Sequence, residues 1–191
     1  MTRSTIVDPG MANALLSGRK TQMRLGTMSP LSRCRPGDRI QVREACIAGR
    51  IDAGQELSTS LNKAEFVIFP DGWRQYPDGS GHAGRVPGDV DHQWVSAVHM
   101  PRWASRMTLI VDGVRTERLQ AIAADDIRAE GARPVLGCWF WRWPRPIRGI
   151  DLTARRAFRR YWNINHGTPG DRWEDDPEII VLDFHLLAGR P

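Results

Sequence analysis

Lysine is nearly missing from this chain. Of its 27 Lys plus Arg residues, only Lys20 and Lys63 are lysines. Cysteine is sparse too: Cys34, Cys46 and Cys138 are odd in number and lack C-x-x-C spacing. That argues against a disulfide framework and against a structural zinc site. No apolar run approaches the roughly 18 residues that a bilayer span needs, and "MTRSTIVDPG" has no apolar stretch of the secretory kind. A cytoplasmic protein without a membrane partner is expected. Neither H-E-x-x-H nor H-x-E with C-x-x-C occurs, so no metal or cofactor is expected and zinc-dependent deamination is disfavoured. The scarcity of lysine gives "LLSGRKTQMR" its weight. Arginine stays charged, whereas a buried lysine amine can shed its proton and act as base or nucleophile. Lys20 is therefore a candidate catalytic residue.

The 191 residues fit one domain with insertions, and 41% hydrophobic with 26% charged residues is a globular balance. The net charge of +5 is unevenly placed. Residues 1–44 carry eight bases and three acids, and 132–160 eight bases and one acid. The segments between and after them are neutral or acidic. Two basic blocks that meet in the fold would form the footprint of a polyanion binder. The plainer alternative is general arginine enrichment on solvated surfaces.

"VDPGMANALLSG" reads as a short helix, with Asp8 as cap, Pro9 in the first turn and Gly18 as the left-handed stop. "KTQMRL" alternates as a half-buried strand, with Lys20, Gln22 and Arg24 against Thr21, Met23 and Leu25. After the "PGD" turn, Ile40, Val42, Glu44 and Cys46 share one strand face. Glu44 on that apolar face must be paired, hydrogen-bonded or protonated; it is either a structural ion pair with an arginine or a site acid. Residues 50–93 read as an elaborated loop or insertion around the strand-like "AEFVIF". A strand from Met107, a helix stopping at Gly131 and a buried strand in "PEIIVLDFHLL" follow. "DLTARRAFRRYWNIN" is an amphipathic helix, capped by Asp151 on this reading, with Phe158 and Trp162 on its apolar side. The expected fold class is α+β, a small, strongly bent sheet or barrel.

In order, "LLSGRKTQMR", "PGDRIQVREAC", "AVHMPRWASRMTLIV", "RLQAIAADDIRAEGA", "AFRRYWNIN" and "WEDDPEIIVLDF" resemble an ASCH-domain protein of the bacterial and prophage type. The resemblance leaves out about 50–93 and 133–150 as insertions in a single domain. It implies a PUA-like compact β-barrel with short flanking helices around a cleft. It also implies RNA or a modified nucleotide as ligand, with ribonuclease activity in some relatives and 4-N-acetylcytidine amidohydrolase activity in others. The amidohydrolase lysine and glutamate match Lys20 and Glu130; the expected threonine, three residues after the lysine, is Met23. A thioether neither gives nor takes a proton. Thr21 is the nearby hydroxyl, and Lys20 with Glu130 or Glu44 could still activate water.

Other candidates follow from residue type. Arg19 and Arg24 flank the lysine, and His99, Arg102 and Arg106 could contact phosphate, with His99 as acid or base. Alternatively His99 and Trp103 close the end of the barrel. "CWFWRWPRPIR" offers Trp141 among its stacking faces and Arg142, Arg145 and Arg148 for phosphates. Strand spacing sets Trp139, Trp141 and Trp143 on one face, which equally suits a core or a protein partner of a non-catalytic prophage adaptor. Arg155, Arg156, Arg159 and Arg160 form one side of their helix and repel each other at i, i+4. RNA phosphate or acids such as Glu174 and Asp175 would offset that cost.

Overall fold

The computed structural model describes residues 3–87, 93–137, 139–144 and 149–187; Cys138, Arg145 and Arg148 lie outside them. The elements run β1 (Arg3–Ile6), α1 (Pro9–Leu16), β2 (Gln22–Gly26), β3 (Arg39–Arg43), β4 (Cys46–Asp52), β5 (Gln55–Ser58), β6 (Phe66–Ile68), β7 (Trp73–Gln75), β8 (Gly81–Ala83), β9 (Trp94–Val95), β10 (Thr108–Arg118), α2 (Ala124–Ala129), β11 (Arg133–Val135), β12 (Phe140–Arg142), α3 (Ala154–Asn165) and β13 (Glu178–Leu187). The class is α+β, mostly sheet. No helix among the described residues is long and apolar enough to cross a membrane.

The main sheet has the order β1-β3-β10-β13-β2. β1 runs parallel to β3, and the other pairings are antiparallel. Among the described residues β1 and β2 do not pair with each other, so the sheet ends on two open edges. β13 lies between β10 and β2, and Ile179, Val181 and Leu182 on it are buried. α1 closes one side: Asp8 Oδ1 accepts the Met11 N–H at 2.9 Å, Pro9 opens the first turn and Gly18 ends it at φ +67°. That stop turns the chain directly into β2.

α3 covers the opposite part of the core through Ala154, Ala157, Phe158 and Trp162. Its cap is Thr153, whose Oγ1 accepts the Arg156 N–H at 3.2 Å. Asp151, the expected cap, instead bridges by its backbone to Trp141 and pairs with Arg160 at 2.7 Å. Two residues of chain separate the acid from the helix start, and the hydroxyl nearer to it takes the cap.

Residues 50–87 prove more ordered than the turn-rich sequence suggests. With β4 and β9 they build a second sheet, β5-β4-β6-β7-β8, in which β9 pairs with β4. Three-residue strands such as β6 and β7 are too short to show a period of two. The alternation from Ile40 through Val42, Glu44 and Cys46 holds as burial, but the strand breaks at Glu44 and Ala45, where the chain passes from the first sheet to the second.

Glu44 sits at that crossing. Its carboxylate takes two hydrogen bonds from Arg106, at 2.9 and 2.7 Å, and Arg106 also reaches Asp71 at 2.7 Å. The guanidinium lies 4.1 Å from the Phe69 ring centroid. One arginine thus ties the β3–β4 junction, the β6–β7 turn and the entry to β10 together. Both partners are buried, so breaking this pair leaves a charge without compensation. Glu44→Gln is expected to lose about 3 kcal/mol in urea denaturation. Arg159→Ala, which removes an exposed pair with Glu174, is expected to lose less than about 1 kcal/mol.

Candidate functional site

Lys20 enters the site by backbone geometry. The N–H groups of Arg19 and Lys20 both bond Ala14 O past the end of α1, and Thr21 N–H bonds Ala129 O at 2.8 Å at the end of α2. That second contact lays the start of β2 against the residue that follows α2, Glu130. Gly131 then turns the chain away at φ +109°.

The Lys20 ammonium is fully engaged. Nζ donates to Gln22 O at 2.9 Å, Glu130 O at 3.0 Å and Glu130 Oε2 at 2.8 Å. Three acceptors use all three protons, and the side chain is buried. A nitrogen held this way has no lone pair to offer. As an ammonium in this arrangement, Lys20 donates to these three oxygens and ties the start of β2 to Glu130.

A wider ionic network spreads from the pair. Arg24 donates to Glu117 Oε1 at 2.7 Å, reaches Asp126 Oδ2 and Glu130 Oε1 at 3.3 Å each, and bonds the Gln22 side chain. Arg115 bridges Glu117, Asp126 and Asp183, and the Gln22 amide donates to Asp126 and Asp183. Lys20, Gln22 and Arg24 therefore point to one side, as the alternation predicts, while Met23 joins the core with Leu182. Three cations meet four carboxylates, and the network is not basic.

A cleft of about 490 Å³ opens over this floor. β1 with Val7 and Asp8 makes one wall, Met23 to Gly26 of β2 the other, and Tyr161, Asn165 and His166 of the α3 end close it. The open edges of the main sheet thus face one another across the cleft. Burial raises the Asp8 carboxyl above the usual range, against the pull of the Met11 and Gly10 amides and Lys20. Burial also raises the Tyr161 hydroxyl, helped by Glu130 and Asp8. The Tyr161 ring stacks on Trp143, with centroids 4.2 Å apart.

Of the expected site residues, the fold brings Lys20, Glu130 and Arg24 together. Thr21 is exposed, on the opposite side from Lys20 and outside the cleft lining, so it cannot stand in for the missing hydroxyl. Glu44 is committed to Arg106 and is also outside the lining. His99 is exposed in a short 3-10 turn, and Arg102 lines a separate small hollow with Arg43 and Gln41. Neither approaches the Lys20 cleft. Arg24 and Arg106 are buried and neutralised, so they are not free phosphate contacts.

The helix arginines are mostly occupied as well. Arg155 lies 5.0 Å over Trp173, Arg159 pairs with Glu174, and Arg160 pairs with Asp151. Arg156 is exposed with no acidic partner among the described residues. Trp141 is buried with Arg128 5.1 Å over its ring, so it offers no face to a base; Trp143 is buried too, and Trp139 alone of the three is exposed. The turn between β11 and β12 breaks the strand spacing that would have aligned them.

The sequence reading missed Asp8 and Tyr161 as cleft residues. Asp8 carries a helix-cap signal that hides its second role, and Tyr161 carries a core periodicity. No group of three or more His, Cys, Asp or Glu among the described residues is placed to hold a metal. No protein-family model, no curated protein and no solved structure matches the chain.

The network makes stability depend on acid. Burial opposes ionisation of Asp126, but the Ala123 amide, Gln22, Arg24 and Arg115 together hold its carboxyl below the usual range. A depressed folded value stabilises above the unfolded carboxyl range and is lost as pH falls through the folded value. Asp8 has the opposite sign: its ionised form opposes folding above that range. Thermal melts across a pH series from neutral into acid are expected to show the destabilisation caused by Asp126→Asn shrinking as pH falls below the ordinary carboxyl range. Asp8→Asn, which keeps a good cap, is expected to lose nothing at neutral pH.

Proposed function

We propose that this chain is an ASCH-type, PUA-like RNA-binding protein whose cleft receives one unpaired base or modified nucleoside while the phosphates remain outside. The observation that carries this reading is the meeting of Lys20 and Glu130, 110 residues apart, at 2.8 Å in the cleft. The ASCH resemblance implies these two residues for the amidohydrolase chemistry of some relatives, and their meeting marks where that resemblance would put the ligand. The opposition of β1 and β2 across the cleft supports a PUA-like, barrel-type curvature.

The electrostatics favour a base over a phosphate. The cleft lining balances Lys20 and Arg24 against Asp8 and Glu130, so a phosphate would meet no surplus positive charge. The wall offers recognition of another kind. Phe184 N–H bonds Thr21 O, and Lys20 Nζ takes Gln22 O. By alternation the backbone of Thr21, Met23 and Leu25 faces β13, and that of Gln22 and Arg24 faces the open edge. Arg24 thus presents a backbone donor and acceptor of the sort that reads a base edge. The volume falls in the usual range for small-ligand sites, about 300–1,000 Å³.

The hydrolytic alternatives, ribonuclease or 4-N-acetylcytidine amidohydrolase, draw on the same Lys20–Glu130 pair. They require another group to move the proton, because the ammonium is saturated and Met23 supplies no hydroxyl. Asp8 is the cleft carboxyl with a raised value and is the group such chemistry would use. On incubation with 4-N-acetylcytidine the native protein is expected to bind without turnover. Efficient acetate release would replace the binding reading with the hydrolytic one.

The binding test uses fluorescence anisotropy with a short single-stranded RNA and the paired variant Lys20→Met with Glu130→Gln. The pair variant leaves the Gln22 and Glu130 carbonyls and Arg24 with one partner fewer, so its fold is verified by far-UV circular dichroism before affinity is read. Affinity is expected to fall about tenfold or more, about 1.4 kcal/mol, because the pair holds the start of β2, and with it the cleft wall, against the end of α2. Unchanged affinity in a folded variant would place RNA elsewhere. Lys20→Arg is expected to behave like the pair variant, since a planar guanidinium cannot fill a pocket built for three bonds to one nitrogen.

A further inference from the structure

We propose that the outer face of the β11–β12 hairpin is a second RNA-binding surface, with Trp139 stacking a base and Arg19, Arg133 and Arg142 holding the flanking phosphates. The proposal rests on the RNA reading above but concerns different residues.

The first observation is a like-charge contact. Arg133 and Arg142 are register partners in the hairpin, so their side chains leave the same face side by side. Arg19 is next to Lys20, whose Cβ would lie 3.7 Å from a Cβ on Gly131, two residues before Arg133; burial and the charge of Arg133 hold the Arg19 guanidinium below the ordinary range. None of the three has an acidic partner among the described residues, in contrast to Arg24, Arg106, Arg115 and Arg159. Like charges directly opposite in a sheet are unfavourable. An external anion removes that cost, and successive phosphates supply several negative charges along one strand.

The second observation is the hairpin tip. Leu136 adopts φ +51°, a conformation that side-chain-bearing residues avoid. Next to this strained turn Trp139 is 77% exposed. Buried Trp141 and Trp143 satisfy the core, so nothing in the packing requires Trp139 to face solvent. A tryptophan beside unpaired arginines is the combination that single-stranded nucleic acids use for stacking and phosphate contact. A protein partner would have to bring carboxylates to all three arginines.

The third observation is position. A Cβ on Gly131 would lie 3.7 Å from Lys20 Cβ and 3.6 Å from Pro144 Cγ. The chain entering the hairpin and the chain leaving it both converge on the Lys20 corner of the cleft. A strand with one base in the cleft would have its next nucleotides beside the hairpin.

The test measures affinity for a short oligouridylate across a salt series. It compares native protein, Trp139→Ala, the double variant Arg133→Gln with Arg142→Gln, and the Lys20→Met, Glu130→Gln pair. The hairpin positions are exposed, so far-UV circular dichroism is expected to be unchanged. Trp139→Ala is expected to weaken binding about tenfold. The double arginine variant is expected to flatten the slope of log K against log salt by about 1.4, for two lost phosphate contacts. Both effects are expected whether or not the cleft pair matters. If the cleft pair alone weakens binding, the hairpin proposal is overturned and the cleft reading stands. If only the hairpin variants weaken it, the hairpin proposal stands and the cleft reading fails. Absence of any binding by native protein overturns both, and salt-insensitive capture of an acidic protein through Trp139 without RNA binding returns this face to a protein partner.

Discussion

The saturated ammonium of Lys20 is the constraint on which the rest of the site depends. Three acceptors around one nitrogen fix the start of β2 against the end of α2, and two of the three belong to Glu130. Neither an arginine nor a neutral residue reproduces that geometry. The near-absence of lysine elsewhere therefore has a structural explanation at position 20, where a compact cation is required. Glu130, once placed, meets Arg24, and Arg24 joins the network that spans β2, β10 and α2.

The network also divides the work of recognition. Cations and carboxylates balance in the cleft lining, so on the proposed reading a bound group would be recognised by hydrogen bonds and shape. Arginines without an ion pair among the described residues include Arg19, Arg133 and Arg142 beside the cleft, Arg102 and Arg156 further off, and Arg33, Arg35 and Arg39 at and before β3. Eight arginines pair with carboxylates among the described residues: Arg24, Arg50, Arg74, Arg106, Arg115, Arg128, Arg159 and Arg160.

Much of the local structure was legible in the residues. Asp8, Pro9 and Gly18 announce α1, and the alternation of "KTQMRL" sorts Lys20, Gln22 and Arg24 from Met23 and Leu25. Glu44 on an apolar face announces a buried partner, though not that the partner is Arg106, 62 residues away. The second sheet was hidden because its strands are too short to show a period. Asp151 drew the cap assignment from Thr153 because both are good caps and two residues separate them. Pairing was the least legible property: Glu117 lies 93 residues from Arg24 and Glu130 lies 110 from Lys20, and no local pattern encodes such a distance. The Lys20–Glu130 association came from the family resemblance alone.

The most direct test of the account is amide chemical-shift mapping of the isotopically labelled protein during titration with a short single-stranded RNA. The account predicts that the largest changes fall on the cleft wall at Val7, Arg24 and Asn165 and on the hairpin at Arg133 and Arg142. Changes confined to the exposed side of α3 around Arg155 and Arg159, with the cleft and hairpin silent, would contradict it.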